Sequence, residues 1–222
     1  MILSAPSFLI PGTYLENVRY IDTIPEVKCI ELLFFTFDDD SWNIFQCERK
    51  EIQRYVGRFD FSVHMPDPIL PEHETLIEGT KDFVSHYIVH PDFKKPEFFT
   101  DLVGKWSGIY GNIFYIENTL AGTIESMPRL PPDLPLCLDT GHLLLQKKSP
   151  AGYFNARESR IKKIHLHGTI GEKDHQAVTA EEPWVKEFSV CLKKFSGMVH
   201  IEIFNSGGYL RVLENLRRYG IV

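Results

Sequence analysis

The chain has little of what marks several large protein classes. It lacks a C-x-x-C pair, a G-x-G-x-x-G after its first strand pattern, an apolar run approaching ~20 residues and any excess of basic charge. The missing glycine fingerprint argues against a Rossmann dinucleotide site. A net charge of −6 argues against a large duplex footprint, which needs phosphate-neutralising Lys and Arg. Its basic pairs, Lys147-Lys148, Lys162-Lys163, Lys193-Lys194 and Arg217-Arg218, are scattered, and most read as solvated helix ends. The start has no basic n-region, and Pro6 and Pro11 interrupt its apolar stretch, so it reads poorly as a signal peptide. The expectation is a soluble, cytoplasmic protein without a membrane span.

Only four cysteines occur, Cys29, Cys47, Cys137 and Cys191, each in or beside an apolar run, as buried reduced thiols would be. A chain of 222 residues buries about 70% of its unfolded surface and folds without staples. A metal site here would therefore serve chemistry rather than folding. No linker or low-complexity segment divides the chain, which reads as one domain over residues 1–222.

What is present is alternation. Short, nearly continuous apolar runs at Ile2–Phe8, Cys29–Phe35, Phe61–His64, Tyr87–His90, Ile113–Glu117, Leu136–Asp139, Lys163–His167 and Val199–Phe204 read as parallel strands covered on both faces. Helical stripes lie between them. One runs through Phe98, Phe99, Leu102, Val103, Trp106, Ile109 and Tyr110. A second follows Pro183 through Trp184, Phe188, Leu192 and Phe195, and a third joins Tyr209, Val212, Leu213, Leu216 and Tyr219. Eight strands, each followed by something helical, predict the α/β class and a single compact (β/α)8 TIM barrel. A doubly wound open sheet is the alternative. The helical pattern is weak after Cys29–Phe35 and near Thr123–Leu130, where Pro128, Pro131, Pro132 and Pro135 crowd the chain. Asp38-Asp39-Asp40 reads as a solvated loop or an acidic lip.

The strands end on chemistry. His64, His90, Glu117, Asp139, His165 and Glu202 close six of them, 22–37 residues apart, close to one barrel unit per step. In a barrel such ends converge on one mouth. A carboxylate ending a buried strand is strongly disfavoured unless something positive neutralises it, and imidazolium or a metal ion are the candidates. Mixed His/Asp/Glu ligation without thiolate suits catalytic Zn or Mn. Each histidine taken singly also fits a hydrogen-bonded core position.

At Leu138-Asp139-Thr140-Gly141-His142, Ile164-His165-Leu166, Tyr115-Ile116-Glu117-Asn118 and Ile201-Glu202-Ile203, the chain resembles the xylose isomerase-like TIM barrels, which include the AP endonuclease family 2 enzymes. The resemblance implies two divalent ions. His64, His90 and Glu117 would hold one, and Glu117 would bridge to a second held by Asp139, His165 and Glu202. His142 and His175 would serve a third ion or a phosphate, although Lys173-Asp174-His175 breaks the family's Asp-x-His spacing. A narrower similarity, to the cobamide-remodelling phosphodiesterases, lies in Ile10–Tyr20, Val27–Phe34 and the Phe61-Ser62-Val63-His64 strand.

The resemblance implies a metal-dependent hydrolase of a small-molecule phosphodiester, with Glu117, Glu202 and His142 in the reaction. Ser206, Gly207 and Gly208 would offer N–H groups to phosphate at a helix entrance, or simply cap that helix with Ser206. A sugar or sugar-phosphate isomerase or epimerase uses the same residues, with Glu117 and Glu202 as the acid/base pair. A DNA endonuclease fits the acidic chain less well, and a barrel without catalysis would show gaps at the strand ends.

Overall fold

The structure, a computed structural model, describes residues 1–131, 133–179 and 181–222. Eight strands close a parallel barrel: β1 (Ile2–Pro6), β2 (Val27–Leu33), β3 (Asp60–His64), β4 (Val84–Val89), β5 (Phe114–Glu117), β6 (Leu136–Asp139), β7 (Ile161–Leu166) and β10 (Met198–Ile201). Neighbours follow chain order around the ring, and β1 pairs with both β2 and β10. This is a (β/α)8 TIM barrel, and the open-sheet alternative is set aside. A small antiparallel hairpin, β8 (Gly168–Ile170) and β9 (Lys173–Gln176), stands after β7 in a loop where the sequence carried no recognisable signature.

Several apolar runs outlast their strands. Ser7, Phe34, Met65 and Glu202 each make one last backbone hydrogen bond to the neighbouring strand, and the chain then leaves the ladder at the mouth. β1, β2 and β10 are therefore shorter at that end than their apolar runs, because hydrophobicity continues into loops that pack over the rim.

The helices are α1 (Tyr14–Ile21), α2 (Asp39–Gln53), α3 (Glu74–Thr80), α4 (Pro96–Tyr110), α5 (Thr140–Leu145), α6 (Pro150–Arg157), α7 (Pro183–Lys194) and α8 (Ser206–Arg218). The segment after β2, weak in sequence, carries the 15-residue helix α2. Asp38-Asp39-Asp40 is neither free loop nor lip. Asp38 caps α2 by accepting from the Ser41 N–H at 2.8 Å, and Asp39 and Asp40 sit in its first turn, where the helix dipole favours acids. After β5 only a 3₁₀ turn, Ile124–Ser126, forms. Pro128, Pro131 and Pro135 withhold backbone donors there, and Pro132 lies outside the described residues.

The core is the layer between the barrel's outer face and the helices, built from residues such as Val18, Phe45, Phe99, Trp106, Phe154, Phe188 and Leu213. Two sequence expectations fail at its edge. Phe98 and Ile109 belong to the exposed side of α4, because the helical stripe is narrower than the run of apolar residues. Cys47 is exposed on α2 while Cys29, Cys137 and Cys191 are buried, and all four thiols are free. Among the described residues no helix is long and apolar enough to cross a membrane.

Candidate metal centre

The barrel's inside is polar, which is unusual for a space ordinarily filled by Val, Ile and Leu. Strand alternation produces it. In Cys29-Ile30-Glu31, Ser62-Val63-His64, Tyr115-Ile116-Glu117, Cys137-Leu138-Asp139, Lys163-Ile164-His165 and His200-Ile201-Glu202, a polar residue recurs at every second position. The middle residue packs outward into the core in each case. The polar ones face the axis in register, Asp139 beside His165 and His165 beside His200.

At the mouth, His165 Nδ1 lies 3.1 Å from Glu117 Oε2 and 3.2 Å from Glu202 Oε2. Asp139 joins His165 and Glu202 in a group whose ligand atoms all lie within 4.8 Å of one another. Glu117 Oε2, Glu202 Oε2 and His165 Nδ1 are buried, yet none makes a hydrogen bond. Carboxylate oxygens and a ring nitrogen that converge in a buried pocket are what a cation satisfies, so these residues fit a divalent ion. Glu117, Asp139, His165 and Glu202 would hold it.

His64 and His90 also reach Glu117, but on different oxygens: His64 groups with Glu117 and His165, and among the described residues no ligand group joins His64 to His90 as the expected first-ion set required. His90 Nε2 stands 3.2 Å from Glu117 Oε1, and His64 Nε2 3.7 Å from Glu117 Oε2. Each ring is oriented through its Nδ1, His64 by the Met65 carbonyl at 3.0 Å and His90 by the Asp67 carboxylate at 3.2 Å. This is the arrangement by which an outer group fixes the tautomer of a ligating imidazole. His90 Nε2 has no hydrogen-bond partner.

His142 and His175 do not meet as a third pair. His142 Nδ1 donates to the Asn118 carbonyl at 2.9 Å, while its ring joins Glu117 and Asp139. His175 stacks on His167, 4.4 Å between centroids, and groups with Glu202. Among the described residues no ligand group combines the two, because His167 stands between them. His167 itself accepts the His175 N–H at Nδ1 and donates from Nε2 to Asp139 Oδ2 at 2.8 Å. Asp139 Oδ1 caps α5 by accepting from His142 N at 2.6 Å. Gly141 makes room for this arrangement, since a Cβ there would overlap the His167 imidazole. At the last helix the cap is Asn205, not Ser206, and its Oδ1 takes the Gly208 N–H at 2.7 Å. Gly208 is therefore spent on the cap, which leaves only the Ser206 and Gly207 amides of that expected phosphate cradle.

Beneath the mouth lies a network the strand-end reading missed. Lys163 and Glu31, both fully buried, form an ion pair, and Lys163 also donates to Ser62 Oγ at 2.7 Å and His86 Nε2 at 3.2 Å. Glu31 Oε1 faces His165 Nε2 at 3.3 Å and His200 Nε2 at 3.8 Å. It thus backs the ring whose other nitrogen looks into the ligand group. The alternation in Lys163-Ile164-His165-Leu166-His167 and Cys29-Ile30-Glu31 was the available signal.

The electrostatics follow from this crowding. Burial alone would raise the Glu117 carboxyl, but the His165 and His90 imidazoliums outweigh it and hold it well below the usual range. Glu202 is held low the same way, against burial, chiefly by His165. Burial lowers His90, yet Glu117 and Asp67 together lift it to about 10; Asp139 and Glu202 lift His167 to about 9 against the same effect. Glu31 is kept well below its range chiefly by Lys163, with help from His165, despite complete burial. His200 goes the other way, down to about 3, because desolvation prevails. Without a cation, protons on the imidazoles neutralise the carboxylates.

Comparison with solved structures finds the same architecture. A D-tagatose 3-epimerase-like protein superposes with a TM-score of 0.70 at 16% identity, covering 99% of this chain and 97% of its own. The likeness shows a shared (β/α)8 barrel over nearly the whole length of both chains. A probable 3-DHS dehydratase from Bacillus anthracis (TM-score 0.68, 12% identity, 98% of both chains) shares it. So does a 3-keto-D-glucoside 4-epimerase from E. coli (TM-score 0.64, 12% identity, 100% of both chains). No family model and no curated protein matches the chain.

Proposed function

We propose that this xylose isomerase-like barrel is a divalent-metal enzyme that moves a proton at a carbon beside the carbonyl of a small hydroxylated substrate, as a sugar or sugar-phosphate isomerase or epimerase does. This reverses the order of the two readings that the sequence left open. The observation that carries it is the convergence of Glu117 Oε2 and Glu202 Oε2, both without hydrogen bonds, on His165 Nδ1. Three similar structures named above as epimerase-like, epimerase and dehydratase lend the reading support.

A bound Zn or Mn would supply a Lewis acid toward the substrate oxygen. The chain's own residues do the rest. Glu117 and Glu202 come from strands separated by β6 and β7, so they flank whatever occupies the mouth, one positioned to take a proton and the other to return it. Asp139 is held rigid by His167 and the His142 amide. Asn118 clamps the end of β5 to that of β6 by donating to the Asp139 carbonyl at 3.0 Å and accepting from its N–H at 2.8 Å. Four free thiols suit a reducing, cytoplasmic setting.

One observation favours a second reading. His64 and His90, with oriented rings, give the site more ligands than one ion uses, and a two-ion centre suits hydrolysis of a phosphodiester, including a cobamide nucleotide loop. Deuterium exchange from solvent separates the two. Mn- or Zn-loaded protein incubated with a panel of ketohexoses and ketose phosphates in D₂O should label the carbon beside the carbonyl, and Glu117→Gln and Glu202→Gln should stop it. Absence of exchange across that panel, with two ions per chain and cleavage of bis-p-nitrophenyl phosphate, would replace the first reading with the second.

A further inference from the structure

Beside the metal centre, between the loops that follow β1 and β2, opens a cleft of about 530 Å³. Its walls are Phe8, Tyr14, Leu33, Phe35, Ile44 and Phe204, and no lining residue is charged. Phe8, Phe35 and Ile44 are 50%, 47% and 45% exposed, large apolar surface left in water on one concave feature. Such a patch marks a binding site more often than chance.

Most of the cleft's hydroxyls already bond to the chain. Tyr14 Oη donates to the Leu33 carbonyl at 3.0 Å, Ser7 Oγ accepts from Leu33 N at 3.0 Å, and Ser41 Oγ donates to the Thr36 carbonyl at 3.3 Å. Thr13 Oγ1 accepts from Glu16 N at 3.4 Å. What remains for a visitor is mainly apolar carbon, with a few hydroxyls among it. The floor is preformed: buried Asn17 accepts from Leu9 N and Ile10 N at 2.7 and 3.0 Å and donates to the Ile10 and Thr13 carbonyls. Behind it Tyr14 stacks on Phe34 at 5.0 Å, with Phe45 edge-on.

The cleft also shares a wall with the metal centre. The Phe35 ring meets the His64 ring edge-on at 4.8 Å, Phe204 lies 4.8 Å from His175, and the two phenyl rings are 5.7 Å apart. A molecule with one end on Glu117 and Glu202 would pass its other end over Phe35 into the cleft. We infer that this cleft is a substrate subsite for a flat, uncharged apolar ring, such as an aryl group, attached to the hydroxylated part that reaches the metal centre. The inference deepens the proposed function and rests on it for the second half of that statement; the ring site itself does not.

Binding of 2-naphthol to metal-loaded protein, followed by its fluorescence, tests the ring site. Saturable binding is expected, weakened at least tenfold by Ile44→Glu, which puts a carboxylate into the cleft from the solvent side of α2. Phe8→Ala gives a second, milder variant, and circular dichroism confirms that both fold. Lack of saturable binding, or equal binding by Ile44→Glu, would overturn the site. To test the link, 2-naphthyl β-D-glucopyranoside should bind metal-loaded protein at least tenfold tighter than both 2-naphthol and methyl β-D-glucopyranoside; affinity no better than that of 2-naphthol would break it. Ring binding with no deuterium exchange on any sugar would sink the epimerase reading and leave the cleft, and exchange on sugars without ring binding would do the reverse.

Discussion

Replacing Lys163 by methionine probes the polar barrel most directly. Lys163 and Glu31 are fully buried, and Lys163 is the ammonium in contact with that carboxylate. Burial lowers the lysine and raises the glutamate, but each is outweighed by the other's charge, so both stay ionised. Methionine keeps the apolar stem and removes the charge, leaving a buried carboxylate with His165, His200 and the Ser62 hydroxyl as its remaining partners. Breaking such a pair from one side costs about 3–5 kcal/mol, a large share of the ~5–15 kcal/mol that holds a domain together. With an unfolding entropy of roughly 2.1 cal/mol/K per residue, that is a fall in Tm of roughly 6–11 °C. Adding Glu31→Gln removes the stranded charge while keeping an acceptor for His165, and the double variant should recover most of the loss. Urea unfolding of the wild type, the two single variants and the double variant measures this cycle. A Lys163→Met loss below about 1 kcal/mol, or a double variant no better than the single, would refute the account of two buried charges that must compensate each other.

Three further outcomes are expected. His90 and His167 have folded pKa values of about 10 and about 9, above the ordinary 6.5, so the stability they add is complete below pH 6.5 and lost as pH rises through 9–10. The Tm of metal-free protein should fall across that window, and the rise given by saturating Zn or Mn should grow with pH, since the cation displaces those protons; calorimetry showing a cation effect that shrinks with pH would contradict this. Gly141→Ala should push His167 off Asp139, costing about 1–3 kcal/mol and weakening cation binding, whereas an unaltered cation affinity would show that His167 does not position Asp139. Asp67→Asn should weaken any second ion about 10- to 100-fold while sparing the one beside His165, measured as ions per chain.

Much was legible before any coordinates. Apolar runs of strand length alternating with helical stripes encode a barrel, because each strand must be covered on both faces and the chain order supplies the cover. The strand-end residues His64, His90, Glu117, Asp139, His165 and Glu202 were legible for the same reason, since a charged residue closing an apolar strand needs a partner from elsewhere. The helix after β2 was read too weakly, because its polar face hides a start fixed by Asp38.

Composition, periodicity and the position of polar residues within each strand are properties of the chain taken locally, and they determined the barrel and the residues at its mouth. Which of those residues meet is decided by register around the ring. Register sets His167 rather than His175 against Asp139, aims Glu31 at the far nitrogen of His165, and closes Lys163 onto a carboxylate 132 positions away. The apolar cleft likewise exists only because the loops after β1 and β2 fold beside Phe204 from the opposite end of the chain. Sequence spacing carries no term for distance through space, and that is why only the closed barrel could show these encounters.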